Sequence, residues 1–190
     1  MTGVARVAIL GAESSGKSTL AAALASHYNT VWVPEYLREF VETEGRVPDE
    51  SDQYPIARTQ MEREDAAAQV ATRFLFCDTT PMMTALYSRW YWGRVDAKLS
   101  LLERRHDYAC TLVTAPDCPW EADGLQRASE EVRQAIYEQV LQMLHERDIP
   151  YLLVTGELPQ RLRQLACFLD ERQKSNCADT LMVRGAPGIR

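Results

Sequence analysis

A chain of 190 residues with 46% hydrophobic and 25% charged positions has the length of one compact domain and the balance of a folded globular protein, which excludes a disordered tail protein or a fibrous repeat. Its net charge of −6, from 21 basic and 27 acidic residues, argues against nucleic acid held by phosphate neutralisation. No apolar run reaches the roughly 18 residues of a membrane span, and the stretch after Met1 is too short for a secretion signal; the expected location is the cytoplasm, with neither membrane nor nucleic acid as partner.

The first apolar run, residues 7–10, reads as a strand. It leads directly into Gly11-Ala12-Glu13-Ser14-Ser15-Gly16-Lys17-Ser18, a complete match to the phosphate-binding loop pattern G-x-x-x-x-G-K-[ST], and an Ala- and Leu-rich helix is predicted over 17–27. Each position has a physical task. Gly11 and Gly16 let the backbone aim successive N–H groups of Glu13, Ser14, Ser15 and their neighbours at phosphate oxygens, and the helix beginning at Lys17, Ser18 and Thr19 adds its positive dipole end. Lys17 brings a full charge to the β and γ phosphates, and the Ser18 hydroxyl suits the oxygen shell of Mg2+. The implied cofactors are ATP and Mg2+.

A second strand over 31–33 ends in Pro34-Glu35-Tyr36-Leu37-Arg38-Glu39-Phe40. At a strand tip Glu35 would project toward a phosphoryl acceptor, with Arg38 gripping phosphate or a carboxylate. The same residues also fit an amphipathic helix on which Arg38 pairs with Glu35 or Glu42. A helix is predicted over 56–72, then a third strand over 74–77 ending in Asp78, the carboxylate that such sites place beside magnesium. Asp78 followed by Thr79-Thr80-Pro81 equally suits a helix cap. The aromatic stretch 87–94 is expected to fill core, with an acceptor-pocket wall as the alternative.

A fourth strand is predicted over 110–113. The loop after it carries Cys118, Trp120, Asp123, Gly124 and Arg127, and with Arg133 on the next helix it has the make-up of a lid, over about 115–133, whose arginines would meet charge on a transferring phosphoryl group. The helix is predicted over 130–147, a fifth strand over 151–154, and a last helix from near Pro159 with Leu162, Leu165 and Leu169 facing inward. The domain is expected to span 1–171, with 172–190 a loose tail. Continuous apolar strands between helices imply a three-layer α/β sandwich around a five-stranded parallel sheet. The five cysteines are odd in number, scattered and without Cys-x-x-Cys spacing, the pattern of free thiols rather than of a disulfide scaffold or zinc site.

Taken in order, Gly-Ala-Glu-Ser-Ser-Gly-Lys-Ser at 11–18, Glu35-Tyr36 with Arg38-Glu39-Phe40, Asp78-Thr79 at a strand end, and Trp120 with Asp123-Gly124 and Arg127 resemble the ribosylnicotinamide kinase domain of NadR-type bacterial proteins. The resemblance runs from about residue 6 to about residue 170. It implies a P-loop kinase that phosphorylates the ribose 5′-hydroxyl of nicotinamide riboside with ATP, giving nicotinamide mononucleotide and ADP within NAD salvage. In that reading Lys17, Asp78, Glu35 and Arg127 are catalytic, and Glu35, Tyr36, Arg38, Trp120 and Asp123 bind the cationic acceptor, while Ser18 and Asp78 hold magnesium. Pro34 and Thr80 depart from the family pattern, which has Trp and Asp there. Two other functions fit the same loop: a kinase for a different nucleoside, and a nucleotide-dependent switch without phosphoryl transfer. The absence of an Asn/Thr-Lys-x-Asp run favours ATP over GTP.

Overall fold

All five apolar runs form strands, β1 Ala5–Leu10, β2 Trp32–Val33, β3 Phe74–Asp78, β4 Cys110–Thr114 and β5 Leu152–Val154, in a computed structural model that describes residues 4–119 and 129–174. They build one parallel sheet in the order β2-β3-β1-β4-β5. Parallel neighbours require helical crossovers, and these are supplied by α1 Lys17–His27, α2 Tyr36–Glu44, α3 Gln53–Ala68, α4 Pro81–Trp92, α5 Ala97–Glu103 and α6 Glu130–Glu146, while α7 Leu158–Lys174 follows β5.

Alternation along the strands divides the core into two layers. Val7, Ile9, Phe74, Phe76 and Leu112 pack with Leu20 and Leu24 of α1 and Leu165 and Leu169 of α7. Ala8, Leu10 and Val113 pack on the opposite face with Met82 and Met83 of α4 and Ile136, Val140 and Leu144 of α6. Both faces are therefore dry, which is why these strands show no polar alternation. The sheet register pairs Ile9 with Asp78 and Leu10 with Val113, so the ends of β1, β3 and β4 lie side by side and the residues that follow them share one rim.

The helix boundaries differ from expectation where turn chemistry decides them. The third helix begins at Gln53 rather than Ile56, because Pro55 is tolerated in a first turn, and it ends at Ala68. The segment after Glu35 forms a helix, α2, as the amphipathic alternative had it. Asp78 is not a cap: the N-cap of α4 is Thr80, with Pro81 in the first turn. The last helix runs through to Lys174, past the expected domain limit of 171; residues 175–190, the remainder of the expected tail, lie outside the described residues. Among the described residues no helix is long and apolar enough to cross a membrane, and Cys77, Cys110 and Cys118 form no disulfide.

Candidate active site

The phosphate loop joins β1 to α1 and is fastened on three sides. Gly11 turns at φ 147°, and a Cβ there would sit 2.4 Å from Thr114 Oγ1, so only glycine permits the close passage of the loop past the end of β4. Thr114 Oγ1 in turn lies 2.6 Å from Ser15 Oγ and donates to the Leu10 carbonyl at 3.2 Å. Ser15 also reaches the Ala12 carbonyl at 2.8 Å. From the far side Arg161, in the first turn of α7 and 2% exposed, donates to the Ser15 carbonyl at 2.6 Å, the Gly156 carbonyl at 2.7 Å and the Ala115 carbonyl at 3.2 Å. Asp117 pairs with the Arg161 guanidinium and accepts from the Gly156 N–H at 2.6 Å. Sequence reading missed both Arg161 and Thr114. A polar residue in a helix's first turn carries no local mark of what it will reach, and Thr114 offered only its place at a strand end.

Lys17 opens α1, and its Nζ donates to the Ala12 carbonyl at 2.9 Å. Ser18 Oγ donates to Asp78 Oδ2 at 2.5 Å. Asp78 is fully buried, and its other oxygen, Oδ1, has no hydrogen-bond partner. Burial pushes this carboxyl above its ordinary range, while the charges of Lys17 and Arg38 and the Ser18 hydroxyl pull it back. Glu35, the N-cap residue of α2, behaves alike: burial raises it, Lys17 and Arg38 lower it, and Asp78 raises it further. The two acids, one at the start of α2 and one at the end of β3, thus share the field of the same two cations. Thr79, immediately beyond Asp78, is held in the left-handed region at φ 69°, a strained geometry that a non-glycine residue keeps only where its surroundings impose it.

Lys17, Ser18, Glu35, Arg38 and Thr79 line a cavity of about 980 Å³ that extends from the phosphate loop to α2 and α4, with Asp78 buried behind Ser18. Its loop end holds Gly11 and residues 13–19, and its other walls include Glu35, Arg38, Tyr87, Tyr91 and Trp92. The expectation that the aromatic stretch fills core is corrected here. Trp90 and Tyr91 are 41% and 54% exposed, and the rings of Tyr87 and Tyr91, both lining the cavity, stack 6.2 Å apart. Glu13, placed with the nucleotide by the sequence pattern, lies where its carboxylate raises the Tyr87 hydroxyl pKa, which burial already pushes well above the usual range.

Of the remaining expected site residues, Arg38 lines the cavity and acts on both acids. Tyr36 does not join them. Its ring lies under the Arg63 guanidinium at 4.5 Å, and Arg63 also forks onto Glu39 at 2.6 and 2.7 Å; this cation, unmarked in the sequence, draws the ring toward α3. Arg133, expected on a lid, is 2% exposed and donates to the Cys118 carbonyl at 2.8 Å and Glu130 at 3.0 Å, so it anchors the loop after β4 instead of facing phosphate. Trp120, Asp123 and Arg127 lie outside the described residues.

Comparison with known proteins fits this geometry. The family model described as AAA domain matches residues 6–161. The chain belongs to the AAA domain family. It is 33% identical over 156 residues to the trifunctional NAD biosynthesis/regulator protein NadR of Salmonella typhimurium, covering 80% of this chain and 38% of that one; it therefore spans about two fifths of that relative's length. Among solved structures it superimposes on a NadR protein in complex with NR with a TM-score of 0.70 at 20% identity, covering 81% of this chain and 46% of that one. A thymidylate kinase from Candida albicans matches with a TM-score of 0.62 at 13% identity, over 90% and 93% of the two chains. The fold is that of the P-loop kinases, as the sequence pattern implied.

Proposed function

We propose that this chain is an ATP-dependent kinase that transfers the γ-phosphoryl group to the ribose 5′-hydroxyl of nicotinamide riboside, yielding nicotinamide mononucleotide and ADP in the cytoplasm. The observation that carries this reading is the convergence, on one cavity, of a complete phosphate loop with Glu35 and Arg38, and with Asp78 buried behind Ser18, both acids under the charges of Lys17 and Arg38. The similarity to NadR, and the NR bound in one such structure, support the acceptor's identity.

The loop N–H groups and Lys17 bind the triphosphate, Lys17 exchanging the Ala12 carbonyl for phosphate oxygen. Ser18 and Asp78 fit a magnesium site: two oxygens 2.5 Å apart, one on a carboxylate whose second oxygen is buried and unpartnered, suit a cation that completes its shell with phosphates and water. Magnesium there would neutralise charge on the β and γ phosphates. With Asp78 held by Ser18, Glu35 is the acid assigned to the acceptor hydroxyl. The 5′-oxygen forms its bond to the γ-phosphorus, the bond from that phosphorus to the β–γ bridging oxygen breaks, the proton passes to Glu35, and ADP leaves. Arg127, in the expected lid, is assigned to the charge on the moving phosphoryl group.

Three carboxylates, Glu13, Glu35 and Asp78, and the paired rings of Tyr87 and Tyr91 favour a flat, cationic acceptor, with roughly 0.5–2 kcal/mol from each ring-to-cation contact. The experiment is ADP release from Mg-ATP across a panel of nicotinamide riboside, its acid analogue, common nucleosides and deoxynucleosides, with mass spectrometry of the products. Phosphorylation of nicotinamide riboside above the others is the expected result. A preference for another nucleoside would reassign the acceptor, and ADP release independent of any acceptor would favour the switch.

A further inference from the structure

We propose that Gln60 is a positioning residue for this site: its side-chain amide joins the start of α2 to the end of β3 and so fixes Glu35 against Asp78. The inference rests on the kinase reading and deepens it. Gln60 projects from α3 and is 2% exposed. Its Oε1 accepts the backbone N–H of Tyr36 at 2.8 Å, and its Nε2 donates to the backbone carbonyl of Asp78 at 3.4 Å. One amide therefore bonds the residue after one acid and the main chain of the other.

The need for such a bridge follows from the chain path. β2 is only two residues long and pairs with β3 through Trp32 and Val33 alone; next comes Pro34, which has no N–H to continue a ladder. Glu35 is thus beyond the reach of sheet pairing. A helix start also leaves its first N–H groups without intrahelical partners, and an N-cap side chain ordinarily turns back to bond one of them. Glu35 occupies the N-cap position and makes no such bond; its carboxylate lines the cavity instead. Gln60 supplies, from another helix, an acceptor for the Tyr36 N–H, the first of these unpaired groups. The orientation of the amide is settled by its partners, since only its oxygen can accept from Tyr36 and only its nitrogen can donate to the Asp78 carbonyl.

The test compares wild type with Gln60→Met, which keeps the length of the side chain and removes both bonds, in the wild-type and Glu35→Gln backgrounds. Gln60→Met is expected to lower kcat by about 10- to 100-fold, the scale of an ångström-sized misplacement, with KM for ATP within about twofold of wild type because the phosphate loop is untouched. In the Glu35→Gln background the same change should cost under about twofold, since residues that act through one another are not additive. Hydrogen exchange at the Tyr36 amide, which needs no turnover, should accelerate about tenfold or more in Gln60→Met. A kcat within about threefold of wild type, an equal loss in both backgrounds, or unchanged exchange at Tyr36 overturns the inference. Should Gln60→Met fail to fold, Gln60→Asn replaces it: one methylene shorter, it remains polar but cannot span both partners, and wild-type kcat and exchange in that variant overturn the inference as well. Wild-type protein that phosphorylates no acceptor would sink the kinase reading alone, with the exchange measurement still deciding the role of Gln60.

Discussion

Glu64 offers the sharpest quantitative test of the fold. It sits on α3 one turn beyond Gln60, is 1% exposed, and accepts a hydrogen bond from the Tyr108 hydroxyl at 2.8 Å, while its other oxygen is buried without a partner. Burial pushes its pKa from the ordinary 4.5 to about 7, against the pull of the Tyr108 hydroxyl and of Arg6. The folded chain therefore holds this proton more tightly than the unfolded chain. Below about pH 4.5 the acid is neutral in both states and its contribution is fully present; between about 4.5 and 7 the contribution falls, and above 7 it is gone. At about 1.4 kcal/mol per pH unit the loss is on the order of 3 kcal/mol. Replacing the acid by its neutral isostere removes this dependence while leaving an oxygen for Tyr108 to donate to. Urea unfolding of wild type and Glu64→Gln across about pH 4–8 should show the variant gaining on wild type by roughly 2–3 kcal/mol as pH rises. A difference between the two proteins that stays constant with pH would refute the assignment of a buried, readily protonated carboxyl at this position.

Further substitutions probe the site. Lys17→Ala should reduce acceptor-dependent ADP release by about 10³-fold or more, since it removes the one positive charge of the loop from the phosphates; near-normal release would remove Lys17 from its role. Asp78→Asn should lower kcat by about 10²-fold yet leave the thermal unfolding midpoint unchanged or raised, because Asn carries no charge to bury, and the pairing of a slow enzyme with an undiminished midpoint is what calorimetry should find. Gly11→Ala, whose Cβ would meet Thr114 Oγ1 at 2.4 Å, should cost about 2–4 kcal/mol of stability and weaken ATP binding, read by denaturant unfolding and by titration with an ATP analogue. Arg161→Ala strips three backbone carbonyls of their donor; about 2–3 kcal/mol of stability should go, with KM for ATP rising more than kcat falls.

How much of this was legible from the sequence depends on whether a feature is local. The strands were, because each is a short continuous apolar run, and a strand buried on both faces has no other pattern. The phosphate loop was, because its glycines, lysine and serine act through their own backbone and through spacing fixed by one turn. The place of Asp78 at the end of a strand was legible for the same reason, and so was that of Glu35 just beyond one. Residues that act across the sheet were not. Arg161 lies 146 positions from the Ser15 carbonyl it holds, and Gln60 lies 24 from the amide it caps; no window along the chain contains both partners. The aromatic stretch failed differently, since composition measures how much ring surface is present and not whether the facing volume is filled by another helix or by a cavity. Nor does any local pattern mark Arg63, the cation over the Tyr36 ring.

The clasp formed by Thr114, Ser15 and Arg161 has a consequence for recognition. Because the anion cradle is moulded by β4 and α7 from behind, an ATP bound as proposed would dock onto a surface already shaped, with little ordering of the loop charged against its affinity. The same rigidity means that a change deep in β4 or along α7, far from any phosphate, would be felt first as looser nucleotide capture, so the grip on ATP reports on the soundness of half the sheet.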